Sequence, residues 1–164
     1  MYELAARSAA LARGTETRVL VNDRADIARA AGCEGVQLTT RSLEASVVRR
    51  AFGPDFLVGV STHSLAEAHA ARDGGADFAL FGPVFDTPSK RAYGPPLGLA
   101  ALGDTARALS PFPLLAVGGI NAGNARSVLE VGAAGVAAIR MFTEAEDLAG
   151  TVSALEGSGE SSPG

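Results

Sequence analysis

The sequence predicts an α/β fold built on a parallel sheet, of the (β/α)8 barrel type, with about six strands in this chain. Three observations carry that reading. First, AGCEGVQL (31–38), DGGADFAL (73–80) and VGAAGVAA (131–138) repeat one pattern: a helical segment, a glycine stop, then an apolar run without polar alternation. Such runs suit parallel strands buried on both faces. Second, strand and helix patterns alternate strictly, which means a parallel sheet layered with helices. Third, polar and glycine residues gather just after strand ends, at Asn22-Asp23, Thr39-Thr40, Ser61, Lys90, Gly118-Gly119 and Arg140. A barrel collects its functional residues on this rim. No dinucleotide-type glycine fingerprint follows the first strand, which disfavours an open doubly wound sheet.

The elements follow in order. MYELAARSAALARG reads as an amphipathic helix with Leu4, Ser8 and Leu11 on one side. Strands are expected at about 17–23, 34–40, 56–62, 77–85, 113–120 and 134–142. Helices are expected between them, at about 26–30, 42–52, 64–73, 98–110, 122–131 and 144–155. Gly32, Gly74 and Gly132 fit the left-handed residue that ends a helix. Ser64 with Glu67 and Thr143 with Glu146 have capping-box spacing, and Asp23 with Asp26 is a weaker relative. One domain is expected over residues 1–156, followed by a disordered tail, 157–164, with no apolar face.

Composition narrows the partners. The chain has 164 residues, 47% of them hydrophobic, and a net charge of −4. No basic stripe favours nucleic acid. No apolar run reaches the ~18 residues of a membrane span. Glu3, Arg7 and Arg13 interrupt any leader-like apolar core. The single cysteine, Cys33, excludes an internal disulfide and suits a reducing, cytoplasmic setting.

Candidate chemistry sits at the strand ends. LLAVGGIN (114–121) runs a strand into two glycines before a helix. Backbone N–H groups there suit an anion, although a plain tight turn has the same sequence. Arg140, after the next apolar run, adds a cation suited to phosphate. Asp23 suits Mg²⁺, which needs few protein ligands, or serves as a helix cap. Asn22 either bonds substrate or closes a turn. Ser61 lacks the G-x-S-x-G context of a nucleophile and reads as a binding hydroxyl. His63 reads as a turn residue, His69 as a surface residue and Glu67 as a cap partner. Thr87, Ser89 and Lys90 arm a Pro- and Gly-rich loop, where Lys90 either neutralises a phosphate-bearing leaving group or is simply solvated.

These segments resemble a known family. LVNDRADIA, GVSTHSLAEAHAARDGGADFALFGPVFDTPSK, PLGLAAL and LLAVGGINAGNARSVLEVGAAGVAAI are together similar to thiamine-phosphate synthase and its TenI-type thiazole tautomerase relatives, over about residues 3–155. The resemblance implies a TIM barrel. It implies a reaction joining an aminopyrimidine methyl pyrophosphate to thiazole phosphate with loss of pyrophosphate, Mg²⁺ and cations stabilising the departing pyrophosphate. It places Asn22 and Asp23 on the pyrophosphate- and metal-binding pair and Ser61 on the pyrimidine or pyrophosphate side. Thr87, Ser89 and Lys90 fall on the gripping loop, with Lys90 and Ser61 cast as catalytic. Gly118 and Gly119 fall on the thiazole-phosphate turn, flanked by Ile139 and Arg140. The implied partners are the two phosphorylated small molecules, neither nucleic acid nor membrane, with a homo-oligomer allowed.

Departures qualify the likeness. The family's Gly-x-His-x-Gly-Gln-x-Asp appears as GVQLTTRS (35–42), so Ser42 replaces a second metal-binding Asp. Arg140 stands where a Ser is usual, and Pro83 replaces a histidine used by one type of tautomerase. The family also places two strands and a helix, with a pyrophosphate-binding Arg-x-Lys, ahead of the segment resembling residues 3–13. An N-terminally incomplete barrel, from a misassigned start or a truncated product, is therefore expected. The alternatives to a synthase are a tautomerase-like enzyme and a non-catalytic phosphate- or thiamine-phosphate-binding regulator.

Overall fold

A computed structural model of the chain describes residues 1–87 and 95–156. The expectations for Ser89, Lys90, Arg91 and the tail 157–164 lie outside the described residues. By contacts the chain divides into two compact units, Met1–Thr62 with Ala66–Ala79, and His63–Leu65 with Leu80 onward.

In the first unit, α1 (Tyr2–Ala12) leads to β1 (Leu20–Asn22), α2 (Ala25–Ala31), β2 (Gly35–Leu38), α3 (Ala45–Phe52), β3 (Leu57–Thr62) and α4 (Leu65–Asp73). β1 pairs with β2 and β2 with β3, both parallel, so each pair joins strands consecutive in the chain with a helix between. The core comprises Val36, Leu38, Val48, Phe56, Val58 and Ala68. Gly32 ends α2 in the left-handed conformation at φ 71°. At the end of α4 the left-handed residue is Gly75, at φ 84°, rather than Gly74.

The face of α1 corrects the sequence reading. Leu4 and Leu11 are exposed, and Ala5 and Ala9 are buried. α1 packs on α2, whose buried residues are Ala25, Ala28 and Ala31. Alanine faces let the two helices approach closely, and that requirement outweighs leucine hydrophobicity.

β4 (Phe78–Phe81) begins in the first unit and ends in the second. The second unit continues with α5 (Gly98–Leu109), β5 (Leu114–Val117), α6 (Ala125–Glu130), β6 (Gly135–Ala137), α7 (Arg140–Thr143) and α8 (Leu148–Glu156). β5 and β6 pair in parallel. Leu102, Leu109, Leu114, Ala116 and Val128 are buried.

All six expected strands form, several of them shorter than expected. β4 stops at Phe81, because Pro83 has no N–H to continue a ladder. The segment then leans on β5 through Val84 N–H to the Val117 carbonyl, 2.9 Å, and Phe85 N–H to the Gly118 carbonyl, 3.0 Å. β6 ends at Ala137, and residues expected to extend it, Arg140 to Phe142, form α7 instead. Thr143 does not start the last helix. Its hydroxyl donates to the Ile139 carbonyl at 3.1 Å inside α7, and Asp147 caps α8 by accepting the Gly150 N–H at 2.9 Å. No helix among the described residues is long and apolar enough to cross a membrane.

Candidate functional site

In the first unit the candidates stand at the C-terminal ends of β1, β2 and β3. Asn22, Gln37 and Gly59 are Cα partners across the three strands, so they form one row on one face of the sheet. Ser61, two residues past Gly59, shares that face. It accepts a hydrogen bond from Gln37 Nε2 at 3.1 Å. Asn22 ends β1 and is exposed.

Asp23 follows directly, at φ 61°. Aspartate is one of the few non-glycine residues that visits this left-handed region. The N-cap of α2 is Arg24, with no side-chain capping bond, so the capping reading of Asp23 is overturned. Its carboxylate instead turns to the β2 end. Oδ1 accepts from Thr39 Oγ1 at 3.3 Å and closely from Ser42 Oγ. Ser42 Oγ also accepts the Thr39 N–H at 2.7 Å, which locks the trio.

Those donors bear on a divalent cation. Every side chain in the trio presents oxygen, the hard donor that Mg²⁺ prefers. Both hydroxyls use Oδ1, which leaves Oδ2 without a partner among the described residues. No cluster of three His, Cys, Asp or Glu residues occurs among them, so an all-protein cage is not available. The arrangement fits an ion held by one carboxylate with the rest of its shell supplied by water and phosphate oxygens.

In the second unit, Gly118 and Gly119 both take positive φ, 93° and 68°. A Cβ on Gly118 would lie 2.6 Å from Pro83 Cα, and one on Gly119 would lie 2.7 Å from Phe85 Cβ. The turn therefore demands glycine twice, for conformation and for close approach, and its backbone stays bare. It borders a cavity of about 490 Å³ whose lining includes Leu80, Thr87, Gly118, Gly119, Ile139 and Arg140. The lining pairs an apolar wall with the Thr87 hydroxyl and the Arg140 guanidinium. Thr87 is buried, whereas Ile139 and Arg140 are exposed at the start of α7. The helix after the turn is secured locally. Asn124 accepts the Asn121 N–H at 2.9 Å and donates to the Gly119 carbonyl at 2.9 Å.

The remaining titratable candidates do not join these groups. His63 is exposed, with Nδ1 2.5 Å from the Gly82 carbonyl, a turn-fixing contact. Cys33 is buried, and burial, with the Glu34 charge as a smaller cause, pushes its thiol pKa up. One residue was missed from sequence. Gln37 interrupts an apolar strand, and that lone amide in GVQL was the available signal.

The comparisons with known proteins agree with the resemblance. The family model described as thiamine monophosphate synthase matches residues 1–142. The thiamine-phosphate synthase of Chlorobium phaeovibrioides is 46% identical over 137 residues, covering 84% of this chain and 65% of that protein. The thiamine-phosphate synthase of Anaeromyxobacter dehalogenans is 46% identical over 147 residues, covering 90% and 65%. The chain thus spans just under two thirds of the length of these relatives. Among solved structures, thiamine phosphate pyrophosphorylase from Pyrococcus furiosus superposes with a TM-score of 0.85 at 33% identity, covering 97% of this chain and 75% of that one. The fold is accordingly of the TIM-barrel-like α/β class, with six parallel strands in this chain. With most of its length matched by that model, the chain belongs to the thiamine monophosphate synthase family.

Proposed function

We propose that the chain serves the reaction its relatives are named for, joining 4-amino-2-methyl-5-hydroxymethylpyrimidine pyrophosphate to thiazole phosphate. The bond between the pyrimidine methylene carbon and pyrophosphate breaks, and its electron pair leaves with pyrophosphate. The thiazole nitrogen supplies the pair for the new C–N bond, so no proton need move. The observation that carries this reading is the bare Gly118-Gly119 turn beside a mostly apolar cavity that Arg140 also lines. A small aromatic ring matches the apolar wall, and its phosphate matches bare backbone N–H groups and a guanidinium.

Each residue then has a task. Gly118, Gly119, Thr87, Ile139 and Arg140 hold thiazole phosphate. Asn22 and Ser61 hold the pyrimidine pyrophosphate. Ser89 and Lys90 grip the departing pyrophosphate, whose growing charge a preorganised cation stabilises more in the transition state than before it. Asp23 would hold Mg²⁺ through its open Oδ2, with Ser42 and Thr39 orienting the carboxylate. When bound, the ion neutralises pyrophosphate charge. A cytoplasmic setting accords with the single reduced cysteine.

The binding half is tested by titrating thiazole phosphate into ¹⁵N-labelled protein. The expected shifts centre on Gly118, Gly119 and Arg140. Arg140→Ala should weaken binding roughly 10- to 100-fold, the effect of one charge-assisted hydrogen bond. Shifts confined to other residues, or an unchanged affinity in the variant, would contradict the reading.

A further inference from the structure

We infer that Gln37 fixes the polarity of the Ser61 hydroxyl, so that Ser61 meets its ligand as a proton donor. Gln37 Nε2 lies 3.1 Å from Ser61 Oγ and 3.3 Å from the Leu38 carbonyl oxygen. The carbonyl can only accept, so it determines which way the amide faces. Turning the amide over would set Oε1 against the Leu38 oxygen, two acceptors with no proton between them. Nε2 therefore faces both groups, and Ser61 Oγ receives its proton.

A hydroxyl has one proton to give. Ser61 does not spend its proton on Gln37, and no other described residue bonds its side chain. That proton is left for a ligand. The neighbouring strand also leaves room for the amide. A Cβ on Gly59 would overlap both Gln37 Oε1 and the Phe78 ring, so the strand keeps glycine where the side chain lies. Gln37 is half-buried and central in the row Asn22, Gln37, Gly59. It acts through Ser61 and is a positioning residue.

The consequence is chemical. The atom facing Ser61 must be an acceptor, either a heteroaromatic ring nitrogen or an anionic phosphate oxygen. A ligand offering only N–H or O–H at that point would be refused. This rests on the proposed function for the identity of the ligand, but the hydrogen-bond polarity does not.

Two measurements separate those layers. Without ligand, both side-chain amide protons of Gln37 should resonate downfield and exchange slowly, and Ser61→Ala should return one of them to the range of a free amide while the proton on the Leu38 carbonyl keeps its signature. With ligand, inorganic pyrophosphate and the neutral aminopyrimidine alcohol serve as separate calorimetric probes, which tells the oxygen acceptor from the ring nitrogen. In Gln37→Glu the ionised carboxylate accepts the Ser61 proton and leaves nothing for the ligand. Affinity for the recognised probe should fall roughly 10- to 100-fold relative to the unmodified chain. The deficit should close as pH falls and the new carboxyl becomes a donor again, whereas a merely structural defect would not respond to pH. An unaltered amide signature in Ser61→Ala, or equal affinities of Gln37→Glu and the unmodified chain at every pH, overturns the inference and leaves the proposed function standing. If the signature is present but the unmodified chain binds neither probe, the role given to Ser61 falls, and the ligand half of the inference falls with it.

Discussion

Replacing Arg49 by Met should loosen the first unit more than any other single surface-side change. The guanidinium closes five hydrogen bonds. Nη1 donates to the carbonyls of Gly53 at 2.8 Å, Pro54 at 3.1 Å and Phe56 at 2.8 Å. Nε donates to the Gly75 carbonyl at 3.0 Å, and Nη2 pairs with Asp77 Oδ2 at 2.7 Å. The same carboxylate oxygen accepts the Val58 N–H at 2.7 Å, so one side chain ties the end of α3 to β3 and to the turn before β4. Methionine keeps the stem's packing and removes every donor. Water can reach part of the gap, since Arg49 is 21% and Asp77 35% exposed. Each orphaned carbonyl then costs about 0.5 kcal/mol and the lost ion pair about 0.5–1 kcal/mol, together ~3 kcal/mol. With a urea dependence of about 2 kcal/mol/M, the unfolding midpoint followed by far-ultraviolet circular dichroism should fall by ~1.5 M. Arg49→Lys should recover only about a third, because a point charge cannot serve a forked set of acceptors. A midpoint within ~0.3 M of the unmodified chain, or full recovery by Lys, would refute this account.

Gly119→Ala should cost ~2–4 kcal/mol in calorimetric unfolding, from a left-handed alanine and the overlap with Phe85, and should abolish thiazole-phosphate binding. Asp26 should titrate at about 2, held down first by its hydrogen bond from Arg24. Its stabilising contribution is complete above the ordinary carboxylate range and is lost as pH falls through about 2, and Arg24→Ala should return the NMR-monitored midpoint to that ordinary range. Lys90→Ala should lower kcat by ~10²–10³-fold with a smaller change in KM, while Arg91→Ala leaves the rate nearly unchanged. The opposite pattern would shift the assigned loop register by one residue.

The sequence was most legible where one signal dominated. A helix-ending glycine followed by a largely apolar run marked the starts of β2, β4 and β6 to within a residue, because such runs suit parallel strands covered by helices, but it overran the ends of β4 and β6. Signals that compete were misread. VAAIRMF looked like a continued strand, yet Ile139 turns the chain and its carbonyl accepts the N–H groups of Phe142 and Thr143 as α7 opens. Apolar periodicity alone does not separate the two states in so short a run. Leucine spacing on α1 pointed to the wrong face, because alanine was needed where the helices touch. At the site, residue type sufficed for the Gly118-Gly119 turn. It did not suffice for Asp23, whose hydroxyl partners lie 16 and 19 residues away, nor for Gln37, whose meaning depends on strand register.

The central claim is transfer itself, and one assay meets it directly. The chain is incubated with the pyrimidine pyrophosphate, thiazole phosphate and Mg²⁺, and thiamine phosphate and pyrophosphate are quantified together. Equal amounts of both products are expected, neither forming when either substrate is withheld. Thiazole phosphate that binds at the Gly118-Gly119 turn while no thiamine phosphate forms would contradict the claim and leave a phosphate-binding protein without transfer.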